Sequence, residues 1–167
     1  ETETGVTIMQ ISAKMDAGPI YSQLVLPLTD TETAPELEQK LGALGAQEVT
    51  RNLPTIIAGT LQPTPQDNNI ATYCHLLKKS DALLDTATLT AEQAERRVRA
   101  YFAFPKTKAT VNGHSIIITA AHVSSTAKTA LDIRCADGRF LSVDTLVGPS
   151  GRTMTVQAFL NGYAKKK

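Results

Sequence analysis

The sequence contains no tryptophan, only two cysteines among 167 residues, and no long apolar run. Two cysteines cannot build the disulfide framework of a small secreted domain, and neither has the spacing to a histidine that metal sites use. Because no run approaches the roughly 20 apolar residues that a transmembrane helix needs, we expect no membrane-spanning segment. Scarce cysteine is typical of proteins from reducing compartments, which predicts a cytoplasmic location and no metal site.

The commonest catalytic signatures are absent as well. The chain has no Gly-x-Ser-x-Gly elbow, no phosphate-binding loop of the Gly-x-x-x-x-Gly-Lys type and no His-Glu-x-x-His motif. His75, His114 and His122 fall in different predicted elements, so we expect none to be catalytic, and His114 to be solvated in a hairpin turn. Cys74 and Cys135 lie near apolar residues, Tyr73 and Ile133, and are expected to be buried thiols.

A net charge of +1 conceals two parts of opposite sign. Residues 1–66 hold three basic and eight acidic groups, whereas residues 67–167 hold fourteen basic and eight acidic groups. This asymmetry predicts two parts with different partners, the basic one suited to a polyanion. The alternative is uneven surface charge with a solvated tail, because the three lysines at 165–167 supply half of the basic excess.

The first part of the chain predicts two strands and a helix. Residues 5–11 are apolar and β-branched, typical of a buried strand, and residues 20–28 predict a second strand. Either Thr31 or Thr33 can cap a helix whose leucines recur at three- and four-residue spacing. Three helix-breaking residues predict a kink or a break within it: Gly42, Gly45 and Pro54.

The pattern changes after residues 60–73, a segment rich in proline, asparagine and glutamine that predicts a linker. The sequence Thr-Ala-Glu-Gln at 90–93 is a capping-box signature for a short basic helix. Two hairpins follow, over 107–123 and 131–147, and residues 156–160 predict a closing helix. Four short strands flanked by helices predict a small antiparallel barrel.

Asp16 is the most suggestive candidate for chemistry. It lies in a short loop between two predicted strands, where functional residues concentrate. Partial burial there would suit it to orient a group or accept a proton. The competing interpretation is a turn aspartate that caps local backbone N–H groups.

Five stretches, taken together, resemble the end of the methionyl-tRNA formyltransferase family. Their order and spacing are similar to that family over essentially the whole chain. They are GVTIMQI…MDAGPI at 5–20, DTETAPELEQKLGALGAQ at 30–47, PQDNNIATY at 65–73, LTAEQAERRVRAY at 89–101 and GRTMTVQAFLNG at 151–162. Residues 101–105 read Tyr-Phe-Ala-Phe-Pro where the family usually has Phe-Asn-Pro-Trp-Pro.

The resemblance implies an α+β fragment in three parts. Residues 1–59 would be the tail of a Rossmann-like α/β formyltransferase domain, residues 60–73 a linker, and residues 74–167 an OB-like antiparallel β-barrel with flanking helices. The implied reaction moves a formyl group from 10-formyltetrahydrofolate to the amino group of initiator methionyl-tRNA. Of the family's Asn, His and Asp, only the Asp is matched here, by Asp16. The other two, with most of the folate pocket, would lie upstream of residue 1, so this piece alone is expected to be inactive.

The resemblance also implies a tRNA-binding role for the C-terminal part, because OB folds present a strand face to nucleic acid. The alternatives are a folate-dependent sugar-nucleotide N-formyltransferase and a nucleic-acid-binding module without chemistry. The candidate tRNA contacts are the basic residues Lys78, Lys79, Arg96, Arg97, Arg99, Lys106, Lys108, Arg134, Arg139 and Arg152.

Overall fold

The structure is a computed structural model that describes residues 1–111 and 113–163. The chain forms two compact units, Glu1–His75 and Leu76–Lys167, called unit 1 and unit 2 below. Both combine helices with antiparallel strands, so the α+β class is confirmed. Asn112, expected in the first hairpin turn, and the lysine tail at 165–167 lie outside the described residues.

Unit 1 opens with an antiparallel pair of strands, β1 (Glu3–Met9) and β2 (Ile20–Pro27). Both strands were expected from their apolar residues, but the prediction that the first is buried is wrong. Its residues alternate between exposed and half-buried, because only one face of the pair packs against a helix. Alternation of this kind is the signature of a sheet with one solvated face.

That helix is α1 (Ala34–Ile57), capped by Thr33. The Thr33 backbone N–H donates to the Glu36 carboxylate at 2.8 Å, which satisfies a helix-terminal amide. The expected break does not occur, because the helix is continuous over 24 residues. Pro54 is tolerated because it lies in the last turn, and Gly42 is surrounded by open space.

Glu48 is a buried carboxylate at the centre of α1, with 2% of its surface exposed. It accepts hydrogen bonds from Arg51 Nη2 and Asn52 Nδ2, each at 2.7 Å. Burial raises the pKa of Glu48, but hydrogen bonds from Ser22, Arg51 and Asn52 outweigh it and leave the pKa below its ordinary value. A buried charge is tolerated when it is paired in this way.

The segment after α1 lies within unit 1. Thr64 and Ile20 exchange two backbone hydrogen bonds of 2.8 Å, so residue 64 extends the β2 edge for one pair. The segment therefore meets β2 where that strand leaves the Asp16 loop.

Unit 2 begins with a 3₁₀ turn at Lys79–Ala82 and continues into α2 (Ala91–Ala100). The predicted capping box at Thr90 is confirmed: Gln93 N–H donates to Thr90 Oγ1, and Thr90 N–H donates to Gln93 Oε1.

The sheet of unit 2 is antiparallel, with five strands among the described residues. They are β3 (Lys108–Val111), β4 (His114–Ser124), β5 (Ile133–Arg134), β6 (Phe140–Val147) and β7 (Thr153–Thr155). The order is β3-β4-β6-β5, and β7 pairs with the other half of β6. The two predicted hairpins are confirmed, whereas the three-residue strand β7 was not foreseen. Register shifts between Ile118 and Ala121 let β4 bend, which curls the sheet.

The core of unit 2 lies between this sheet, α2 and the closing helix α3 (Val156–Tyr163). Phe159 is fully buried and stacks on Tyr163, with ring centroids 4.9 Å apart. His114 packs edge-on against both rings, at 6.0 and 5.4 Å. The expectation of a solvated His114 is therefore wrong, because the start of β4 faces α3 rather than water.

Candidate functional site

The Asp16 loop connects β1 to β2 in unit 1. The Gln10 backbone N–H donates to the Pro19 carbonyl oxygen at 2.9 Å, which closes the loop at its base. Asp16 itself adopts a left-handed conformation, with φ of 54°. Aspartate tolerates this conformation better than most residues do. For any residue other than glycine, however, the conformation costs about 1 kcal/mol or more. The loop thus adopts a defined conformation that is closed by a hydrogen bond at its base.

Gly18 is required by a close approach of two backbone segments. A Cβ atom at this position would lie 1.7 Å from the Gln10 carbonyl oxygen. Only glycine lets the two strands of the loop base come this close. The close approach therefore explains why residue 18, two positions after Asp16, is a glycine in this chain.

Gln66 connects the later segment to this loop. Its side-chain Nε2 donates to the Asp16 carbonyl oxygen at 3.0 Å and to the Gly18 carbonyl oxygen at 2.7 Å. Sequence reasoning missed this residue, since it is about 50 positions from the loop and was assigned to a linker. The only available signal was polarity, which is shared by its neighbours.

The loop and residues 65–74 line a cleft of about 740 Å³ that lies entirely within unit 1. Asp16 is exposed there, so the expectation of partial burial is wrong: residues 9–16 are all exposed. Its carboxylate accepts no hydrogen bond from the described residues, so capping of local N–H groups does not explain it. The Asp16 backbone is thus fixed by the loop, and its carboxylate is accessible to a ligand in the cleft.

Cys74 also lines the cleft and is exposed, which contradicts the expected buried thiol. It lies in a stretch, residues 71–80, in which every residue is exposed. Cys135 is buried as expected. Desolvation raises the pKa of the Cys135 thiol, which makes it a poor nucleophile.

Several candidate nucleic-acid contacts gather at one end of the unit 2 sheet. Lys108 pairs with Ile117, Ile117 with Val147, and Val147 with Thr153, which places these four residues in one row. At the ordinary strand spacing, the row spans about 14 Å. Lys106 precedes one end of it, and Arg152 precedes the other.

Two further lysines lie in the segment that joins the sheet at this end. The Leu84 backbone N–H donates to the Lys108 carbonyl oxygen at 3.0 Å, and Leu83 bridges to Lys108, so the segment meets β3 there. Lys78 and Lys79 begin this segment. Arg134, in contrast, pairs with Phe140 and so lies at the opposite end of the sheet. We call Lys78, Lys79, Lys106, Lys108 and Arg152 the basic end.

Arg99 and Arg139 make ion pairs within unit 2. Arg99 Nε donates to Glu95 Oε1 at 2.7 Å within α2. Arg139 contacts the carboxylates of Glu92 and Asp137, and its hydrogen bond holds the pKa of Glu92 below its ordinary value. Arg139 thus connects α2 to the β5–β6 turn, whereas the Arg99 pair lies within α2.

Arg96 and Arg97 lie on α2, and Arg97 stacks over the Tyr101 ring at 5.6 Å. The loop after this tyrosine exposes two aromatic residues, which precede Lys106 of the basic end by four and two positions. Phe102 and Phe104 are 43% and 48% exposed. The Lys106 N–H donates to the Tyr101 carbonyl oxygen at 2.9 Å, which closes the loop. Aromatic faces beside lysines are typical of surfaces that bind unpaired bases.

In the part of the chain that the structure describes, no three His, Cys, Asp or Glu side chains are grouped so as to hold a metal ion. None of its helices is both long and apolar enough to cross a bilayer.

A family model described as the formyl transferase C-terminal domain matches residues 76–164. The chain belongs to the formyl transferase C-terminal domain family. The matched residues cover more than half of the chain and nearly all of unit 2.

Among curated relatives, the methionyl-tRNA formyltransferase of Stutzerimonas stutzeri (strain A1501) is 34% identical over 164 residues. The alignment covers 92% of this chain and 52% of that protein. The chain thus spans about half the length of the curated relatives it matches.

Two solved structures share the fold of this chain. HypX from Aquifex aeolicus in complex with tetrahydrofolic acid matches with a TM-score of 0.71 at 17% identity, covering 99% of this chain and 31% of that one. An N-formyltransferase from Helicobacter canadensis matches with a TM-score of 0.68 at 19% identity, covering 86% and 56%. At such identities the likeness concerns the fold alone.

Proposed function

We propose that this chain is the C-terminal part of an enzyme that transfers a formyl group from 10-formyltetrahydrofolate to the amino group of initiator methionyl-tRNA. The observation that carries the proposal is the Asp16 carboxylate, which has no hydrogen-bond partner among the described residues and faces a cleft. Family membership and the similarity to methionyl-tRNA formyltransferases support the reaction class.

In this reaction the amine nitrogen attacks the formyl carbon, and the bond from that carbon to N10 of the folate then breaks. The amine loses a proton and N10 gains one. Asp16 is placed to accept or relay the amine proton, directly or through water. An Asn and a His upstream of residue 1 would stabilise the oxyanion, so these 167 residues alone are expected to be inactive.

We assign residues 1–59 to the end of a Rossmann-like catalytic domain, residues 60–73 to the connection, and residues 74–167 to an OB-like domain that binds tRNA. The curled antiparallel sheet of unit 2 supports this assignment, as does the basic end. Lysine side chains there would neutralise phosphates, and the exposed rings of Phe102 and Phe104 would stack on unpaired bases. Arg96 and Arg134 remain further candidate contacts, whereas we do not expect Arg99 and Arg139 to contact tRNA.

The acceptor is tested by supplying the protein that contains this chain with 10-formyltetrahydrofolate and either methionyl-tRNA or an amino-sugar nucleotide. Formylation of methionyl-tRNA supports the proposal. Formylation of the sugar alone would favour the second candidate, which the fold similarity to the Helicobacter canadensis N-formyltransferase supports. Binding of RNA without formylation of either would indicate a nucleic-acid-binding module.

The RNA surface is tested by the salt dependence of tRNA affinity in the 167-residue chain. Each phosphate contact contributes about 0.9 to the slope of log K against log salt for a duplex. The double variant K106Q/K108Q should lower that slope by about 1 to 2, whereas K128Q should leave it unchanged. Lys128 is an exposed lysine in the loop before β5 and forms no part of the basic end. An unchanged slope in the double variant would remove the basic end from the interface.

A further inference from the structure

We propose that Gln66 is a positioning residue for Asp16: its side-chain amide fixes the loop conformation that presents the carboxylate to the acceptor amine. This inference rests on the proposed function. The segment at residues 60–73, which we proposed as the connection between two domains, would then also position the catalytic carboxylate.

The amide uses both of its protons on the loop. Nε2 donates to the Asp16 carbonyl oxygen at 3.0 Å and to the Gly18 carbonyl oxygen at 2.7 Å. Two acceptors of the same kind require the NH₂ group and not the amide oxygen at this position. The two bonds fix the peptide plane before Ala17 and the peptide plane after Gly18.

The backbone that carries Gln66 is itself bonded to β2. Two residues earlier, Thr64 exchanges two backbone hydrogen bonds of 2.8 Å with Ile20, the first residue of β2. The loop is also tied at its base by the bond from Gln10 to Pro19. Gln66 thus adds a third attachment, and it is the one nearest to Asp16.

The attachment matters because Asp16 holds a backbone conformation that it would not adopt by preference, with φ of 54°. Such conformations persist where the surroundings determine them. Among the described residues, no other side chain donates a hydrogen bond to the Asp16 or Gly18 carbonyl. Without the amide, the loop can relax and move the carboxylate, and a displacement of about 1 Å can cost on the order of 100-fold in rate.

The test compares three variants of the protein that contains this chain, in formyl transfer from 10-formyltetrahydrofolate to methionyl-tRNA. Q66A removes the amide, and Q66E keeps the shape but places an oxygen against two carbonyl oxygens. Q62A is the matched control, because Gln62 Nε2 donates only to the Gly59 carbonyl at the end of α1. We expect kcat to fall about 10- to 100-fold in Q66A and Q66E, with both KM values within about twofold of wild type, and no change in Q62A.

A second readout uses the 167-residue chain and does not need activity. Amide hydrogen exchange of Ala17 and Gly18 should accelerate at least about tenfold in Q66A and Q66E and stay unchanged in Q62A. Unchanged exchange in Q66A, or a kcat within twofold of wild type, overturns the inference. If the wild-type protein transfers no formyl group but the exchange result is as expected, the proposed function fails while the positioning of the loop by Gln66 stands.

Discussion

Replacing Gly18 with alanine should open the Asp16 loop at its base. The new Cβ would lie 1.7 Å from the Gln10 carbonyl oxygen, and side-chain carbons essentially never approach closer than 3.0 Å, so the two segments must separate by more than 1 Å. That movement weakens the bond from Gln10 to Pro19 and the bond from Gln66 to Gly18. Two weakened hydrogen bonds at about 1 kcal/mol each, with overpacking of about 1–3 kcal/mol, predict a loss of about 3–5 kcal/mol.

The assay is urea unfolding followed by far-UV circular dichroism, with amide exchange at Gln10 and Ile20 to place the effect in unit 1. G42A is the matched control. Gly42 lies within α1 with nothing near its missing side chain, so alanine there should stabilise by about 0.5–1 kcal/mol. A G18A protein as stable as wild type, with unchanged exchange at Gln10, would refute the reasoning about the loop.

Three further predictions concern unit 2. T90A removes the acceptor for the Gln93 N–H and should cost about 1 kcal/mol, measured by urea unfolding; equal stability would deny the cap a role. F159A empties a fully buried ring site and should cost about 3–5 kcal/mol by the same assay, whereas a loss below about 1 kcal/mol would contradict the packing described for α3. Hydrogen bonding to Arg139 lowers the pKa of Glu92 below its ordinary 4.5 in the folded state, so this pair contributes stability above that pH and loses it as the pH falls further. R139Q should therefore flatten the decline in stability as the pH falls below 4.5; a decline as steep as in wild type would contradict the pairing.

Local features could be predicted from the sequence because short-range chemistry determines them. The capping box at Thr90 needs only residues three positions apart, and the second hairpin is fixed by the Asp-Gly pair at its turn. The continuity of α1 is harder to predict, because the cost of Pro54 depends on how close it lies to the helix end. The strand β7 has only three residues, and pairing with β6 defines it.

In the candidate site, too, one residue could be recognised from the sequence and another could not. Asp16 is recognisable as a loop carboxylate, and its resemblance to a family motif strengthens that interpretation. Gln66 could not be recognised from the sequence. Its partners are backbone carbonyl oxygens some 50 residues away, and every residue type offers such an oxygen. The exposure of Asp16 also depends on which elements cover the loop, and local sequence does not contain that information.

The most direct test of the account is formyl transfer by D16N in the protein that contains this chain. Asparagine tolerates the left-handed conformation as aspartate does, so the substitution removes the charge and keeps the loop. D30N is the matched control, since Asp30 also has a positive φ, of 60°, and does not line the cleft. We predict that D16N lowers kcat by about 100-fold or more while D30N stays within about twofold of wild type. Wild-type turnover by D16N would contradict the assignment of Asp16.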